Sequence, residues 1–276
     1  FVLVLLVSTL AILQTINKSF MVEVPMGGGA FSEGIVGSPR FVNPVLATSD
    51  ADLDVASLIY SGLMRKNPNG EVIPDLAEKV DVSKDGLVYT FTLKENLTFH
   101  DGEPVTADDI LFTIGEINNP IIKSPRKGSW DGINVEKIDE KTIQFTLKQP
   151  YASFLENTTL GILPAHLWKD SPIELNDHNV NPIGTGPYMV DNIDKQSDCI
   201  VNSYDLISFK KFSLGKPYIK NINLYFYKNE EDLLGAIKKG QVSQASSISP
   251  ENAKILEAEN YQIITSTLPR VFGLFF

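Results

Sequence analysis

Two short segments of this chain alternate so strictly that only a half-buried strand suits them. Val88 to Lys94 reads VYTFTLK, with Tyr89, Phe91 and Leu93 at one parity and Thr90 and Thr92 at the other. Thr142 to Lys148 reads TIQFTLK, and Ile143, Phe145 and Leu147 repeat the pattern. Successive side chains of a strand point to opposite faces, so a period of two sends the apolar set inward and the hydroxyls to water. Antiparallel sheets with one wet face read this way. The likeness of the two segments is shared strand chemistry rather than an internal repeat, because nothing around them repeats.

Between them a helix is expected over 107–117. Thr106-Ala-Asp-Asp109 is a capping box that satisfies free N–H groups of the first turn, and Ile110, Ile114 and Ile117 form one apolar stripe. Asn118-Asn119-Pro120 ends it. Earlier, Val55, Leu58, Ile59, Gly62 and Leu63 share a stripe that predicts a helix over 50–64, capped by Ser49 or Asp50. A first strand is expected near 30–36, after a glycine-rich spacer. Short helices are expected to begin at Pro150 and Pro164. Gly184-Thr-Gly-Pro-Tyr188 is a tight turn into a strand over 188–192, and a further strand is expected over 221–227. Asn229 caps a helix through Lys239, with Gly240 at the left-handed stop, and Ser249-Pro250-Glu251 opens another with proline in its first turn. Strands are expected over 261–267 and 271–276.

The composition excludes some function classes. Hydrophobic residues at 43% and charged residues at 21% allow a sizeable core. The net charge of −10 repels phosphate backbones, so no nucleic-acid partner is expected. A single cysteine, Cys199, makes no intrachain disulfide. The three histidines, His100, His166 and His178, form no close-spaced ligand pair, so no metal or cofactor is expected. His100 and His166 read as surface or capping residues. No G-x-S-x-G element is present, which disfavours a hydrolase. Residues 1–13, FVLVLLVSTLAIL, are apolar and start without a methionine. They read as a signal-peptide core or, preferably, as an uncleaved membrane anchor over 1–19, and either reading exports the remainder of the chain. Both ends of the chain read as cut.

The stretch 76–114 reads LAEKVDVSKDGLVYTFTLKENLTFHDGEPVTADDILFTI. Its ordered elements are Ala77-Glu78, Asp85-Gly86, the strand ending in Lys94, Phe99-His100-Asp101-Gly102, Pro104-Val105-Thr106-Ala107 and Asp108-Asp109. This block resembles the signature of the family-five extracellular solute-binding proteins, the oligopeptide, dipeptide and nickel binders. Asn43-Pro44, Tyr60-Ser61-Gly62-Leu63 and the Gly184 turn extend the likeness over roughly 30–276. One departure is Ser243 in Gly240-Gln-Val-Ser243, where an aspartate is common in the family.

The resemblance implies an α/β fold: a periplasmic-binding-protein type II-like lobe carrying an inserted α+β subdomain. Lobe I would comprise residues 20–62 and 163–270, and the insertion 63–162. A second lobe would start at 271–276 and be otherwise missing, which makes the chain a fragment. It further implies a monomeric, extracytoplasmic substrate-binding component of an ABC importer and no enzyme. Such a component captures peptides by hinged closure of two lobes and delivers them to the permease and ATPase subunits. A nickel chelate, an oligosaccharide or a signalling peptide are alternative cargoes. By the same resemblance, Ala47, Thr48, Ser49 and Asp50 sit where peptide binders place cleft contacts, and Trp130 would line a side-chain pocket. Read from the residues alone, Ser49 and Asp50 serve equally as helix caps, and Trp130 as a half-exposed structural residue.

Overall fold

In the computed structural model, which describes residues 26–196 and 200–265, the two alternating segments are neighbours in one sheet. The chain runs through β1 (Gly28–Val36), helix α1 (Asp50–Ile59), the short antiparallel pair β2 (Met64–Lys66) and β3 (Val72–Pro74), then β4 (Ala77–Val82) and β5 (Val88–Leu93). Helix α2 (Ala107–Asn118) and the single turn α3 (Lys127–Trp130) precede β6 (Asn134–Asp139) and β7 (Thr142–Thr146). Two more single turns, α4 (Phe154–Asn157) and α5 (Ala165–Trp168), lead to β8 (Tyr188–Lys195), β9 (Val201–Ser208) and β10 (Ile219–Tyr227). Helix α6 (Glu230–Lys238), the two-residue β11 (Gln244–Ala245) and α7 (Pro250–Ala258) come last.

The first sheet is antiparallel, in the order β4-β5-β7-β6. Its register sets Tyr89 opposite Phe145 and Phe91 opposite Ile143, so the two apolar faces coincide. Helix α2 lies against β6 and β7 and buries Ile110, Ile114 and Ile117. The rings of Phe91 and Phe145 meet edge to face at 5.6 Å. The capping box forms as expected: the Thr106 N–H donates to Asp109 Oδ2 at 2.8 Å. The other oxygen of Asp109 accepts the N–H of Ala165 at 2.9 Å, which ties α2 to the start of α5. Asp109 is buried, and desolvation pushes its pKa up against the pull of those hydrogen bonds.

The second sheet is mixed, in the order β11-β1-β10-β9-β8. Strand β1 runs parallel to β10 and to β11, while β10, β9 and β8 are antiparallel. Helix α6 packs on β1 over a small cluster of Leu233, Ala236 and Val242. The remaining buried hydrophobics of both sheets join in one continuous cluster.

Helix α1 ends at Ile59, five residues before the expected end. The glycine turn crosses its C-terminus and takes over the backbone hydrogen bonds. Gly186 N–H donates to Ile59 O at 2.7 Å, and Ser61 N–H donates to Thr185 Oγ1 at 3.3 Å. A Cβ at Gly184 would lie 2.2 Å from Ile59 O, and one at Gly186 would lie 2.5 Å from Leu58 O. Met64 to Lys66 is consequently a strand. Residues 261–265 carry no regular structure, contrary to the expected strand. Residues 1–19, Cys199 and the expected strand at 271–276 lie outside the described residues. Among the described residues no helix is long and apolar enough to cross a membrane.

Candidate functional site

The two sheet units meet along a cleft of about 290 Å³. Four separated segments build it. Pro44 and Ala47 come from the loop before α1, and Leu53, Ala56 and Ser57 from the helix itself. Arg126, Ser129 and Trp130 come from α3 and its N-terminal flank, while Glu156 to Gly161 close the opposite side, apart from Thr158. Tyr60 joins the walls where α1 ends.

Local hydrogen bonds fix each wall. Asn43, fully buried, accepts the Val45 N–H on its side-chain oxygen at 2.8 Å, and its backbone oxygen accepts the Ala47 N–H at 2.8 Å. That turn holds Ala47 against the cleft. The Ser124 hydroxyl donates to Val45 O at 2.6 Å and accepts the Arg126 N–H at 3.1 Å, so the two facing walls are linked. The Asn157 amide donates to Ser129 O at 2.7 Å. Gly161 permits close approach, since a Cβ there would sit 2.5 Å from Cβ of Tyr60.

Of the residues singled out by sequence, Ala47 and Trp130 line the cleft together. Trp130 is only 3% exposed, not half-exposed. Its ring packs against Phe145 at 5.8 Å and Phe154 at 6.1 Å, so it belongs to the core of the antiparallel unit as well as to the cleft wall. Thr48, Ser49 and Asp50 are exposed and are not among the cleft-lining residues. Ser49 caps α1: it accepts the Asp52 N–H at 3.1 Å, and its hydroxyl donates to Asp52 Oδ2 at 2.7 Å. The other oxygen of Asp52 accepts the N–H groups of Arg40 and Phe41, at 2.7 and 2.8 Å.

Arg126, Tyr60 and Glu156 are not legible as site residues in the sequence. Glu156 is ion-paired with Lys66 at 2.7 Å. The Tyr60 hydroxyl is buried without a hydrogen-bond partner, and desolvation pushes its pKa well up. Next to the wall residue Leu53, Asp54 is pushed up to about 6, by desolvation first and then by the Glu33 and Asp50 charges.

His100 is not a surface residue. Its Nδ1 accepts the Gly184 N–H at 3.3 Å, and its Nε2 lies 3.1 Å from Gly186 O, which requires a neutral ring donating from Nε2. Burial brings its pKa down to about 4. His166 Nε2 contacts Asp101 Oδ2 at 2.8 Å. Among the described residues no group of three or more His, Cys, Asp or Glu is placed to hold a metal ion.

A mixed sheet assembled from distant segments, an antiparallel unit inserted between them and a cleft at their junction define a binding scaffold of the α/β class. The chain belongs to the bacterial extracellular solute-binding proteins, family 5, whose middle-region profile matches residues 71–276. It is 32% identical over 198 residues to the dipeptide-binding protein of Escherichia coli K12, covering 61% of this chain and 36% of that protein. It is similar in structure to the ABC transporter substrate-binding protein CtaP of Listeria monocytogenes, at 31% identity and a TM-score of 0.72, over 84% of this chain and 47% of that one. The oligopeptide-binding protein AppA of Bacillus subtilis, solved with a nonapeptide, is 27% identical with a TM-score of 0.70, over 79% of this chain and 44% of that one. The chain thus spans less than half the length of these relatives. The relatives are substrate-binding proteins, not enzymes.

Proposed function

We propose that this chain forms one wall of the ligand cleft of an ABC importer's extracytoplasmic substrate-binding component, and that its cargo is peptide. The observation that carries this reading is the 290 Å³ cleft at the junction of the two sheet units in a family-five chain. Relatives that bind a dipeptide and a nonapeptide support the cargo class.

In this reading, lobe I comprises residues 20–62 and 163–270, and residues 63–162 form the inserted subdomain. Peptide seats between lobe I and an opposing lobe that begins at 271–276. Contacts to both lobes exist only when they close, and that difference in contact shifts the open–closed equilibrium. Backbone pairing with the ligand leaves its side chains in roomy pockets, one of them walled by Ala47 and Trp130. Thr48, Ser49 and Asp50 follow the wall residue Ala47 at the start of α1 and are exposed. The protein acts as a monomer, held at the membrane by residues 1–19, and passes its cargo to the permease and ATPase subunits.

Titration calorimetry of the intact protein with mixed-sequence peptides of two to nine residues tests the reading. Micromolar or tighter binding is expected. No binding across the set, with tight binding of a nickel chelate or an oligosaccharide instead, overturns it.

A further inference from the structure

We infer that the cleft selects ligands bearing a carboxylate, anchored by Arg126; the inference rests on the peptide-binding reading above. Among the described residues the Arg126 guanidinium has no hydrogen bond and no ion pair, and its Nε is buried without a partner. Buried polar atoms in folded proteins are nearly always satisfied, so an orphan on a cleft wall marks the place of a missing acceptor. Among the described residues the only carboxylate on the cleft walls is Glu156, and Lys66 holds it at 2.7 Å. The chain therefore does not satisfy its own guanidinium.

The side chain is also built to wait. Ser124 pins the backbone of Arg126 on one side, and Trp130 packs into the aromatic core one turn later. A planar guanidinium on a backbone held by Ser124 suits the two oxygens of a carboxylate. It is weakly hydrated for a cation, so partial burial is tolerated until the ligand arrives. Tyr60 adds a second orphan on the same walls. Its hydroxyl is neutral, as in any tyrosine near pH 7, and has a proton to donate. The flank of this wall is cationic as well, with Lys123 and Lys127 beside Arg126.

The test uses the intact protein and calorimetry. Alanine tripeptides and pentapeptides carry Glu or Gln at each position in turn, and each is supplied with a free C-terminal acid or as the amide. Some acid-bearing member is expected to bind about 10- to 100-fold more tightly than its neutral counterpart. A Glu-against-Gln difference assigns the anchor to a side chain, and an acid-against-amide difference assigns it to the C-terminus. Arg126→Gln is expected to collapse the ratio of acid to neutral affinities toward one, while Arg126→Lys restores only part of it. Peptide binding with no acid preference overturns this inference alone, as does a preference that survives Arg126→Gln. No binding by any peptide overturns the peptide reading and this inference together. The wild-type comparison does not depend on the folding of any variant.

Discussion

The antiparallel sheet and the mixed sheet solve the same burial problem by opposite routes. Strands β4, β5, β6 and β7 all fall within residues 77–146, and the β4–β5 and β6–β7 pairings join consecutive strands. The mixed sheet instead pairs residues 28–36 with residues 219–227, across the whole of the other unit. Local pairing costs little loop entropy, whereas the β1–β10 pairing is reached only after long loops close. The antiparallel unit can therefore form early and present a finished edge of the cleft. The mixed sheet depends on the junction, where the Gly184 turn, His100 and the end of α1 interlock.

The largest effect is expected from emptying the antiparallel core. Phe145→Ala removes the ring shared by Phe91, Trp130 and Phe154 and should cost about 3–5 kcal/mol. Hydrogen exchange should show protection lost first in β4–β7, and equal loss in β1 and β10 would break the contrast. Next, Gly186→Val forces a Cβ into a carbonyl and should cost about 1–3 kcal/mol or more. Here the mixed sheet should lose protection first.

The junction should also respond to pH. His100 is about 4 in the folded chain against an ordinary 6.5, so the unfolded chain binds the extra proton between those values. Stability from this group is fully present above pH 6.5 and declines as pH falls toward 4, by about 3 kcal/mol at most. Denaturant titrations at stepped pH should show that slope in the wild type and lose it in His100→Gln. Smallest is the helix cap: Ser49→Ala should cost about 1 kcal/mol and leave peptide affinity unchanged. A loss of affinity without a loss of stability would make Ser49 a ligand contact rather than a cap.

The same contrast decides how much of the molecule is legible in its amino-acid sequence. Strands β5 and β7 and helix α2 are legible because period, cap and burial all agree within one short stretch. Strand β9, VNSYDLIS, is not, because Ser203 is buried beside Tyr204 and the alternation breaks. The end of α1 is hidden because the Gly184 turn that stops it arrives from 125 residues downstream. Ala47 and Trp130 emerge through a family resemblance. Arg126 and Tyr60 do not, since their meeting depends on four segments that carry no shared local pattern.

Trp130 belongs to two neighbourhoods at once, and that gives the cleft an optical voice. The 276 residues contain two tryptophans, and the other, Trp168, is 1% exposed and is not among the cleft-lining residues. An indole with one edge on the cleft and the rest among phenylalanines changes its emission when a solute displaces water from that edge. Of the two tryptophans only Trp130 is among the cleft-lining residues, so a solute entering the cleft is expected to change the emission of one chromophore, and Trp130→Phe should silence that change.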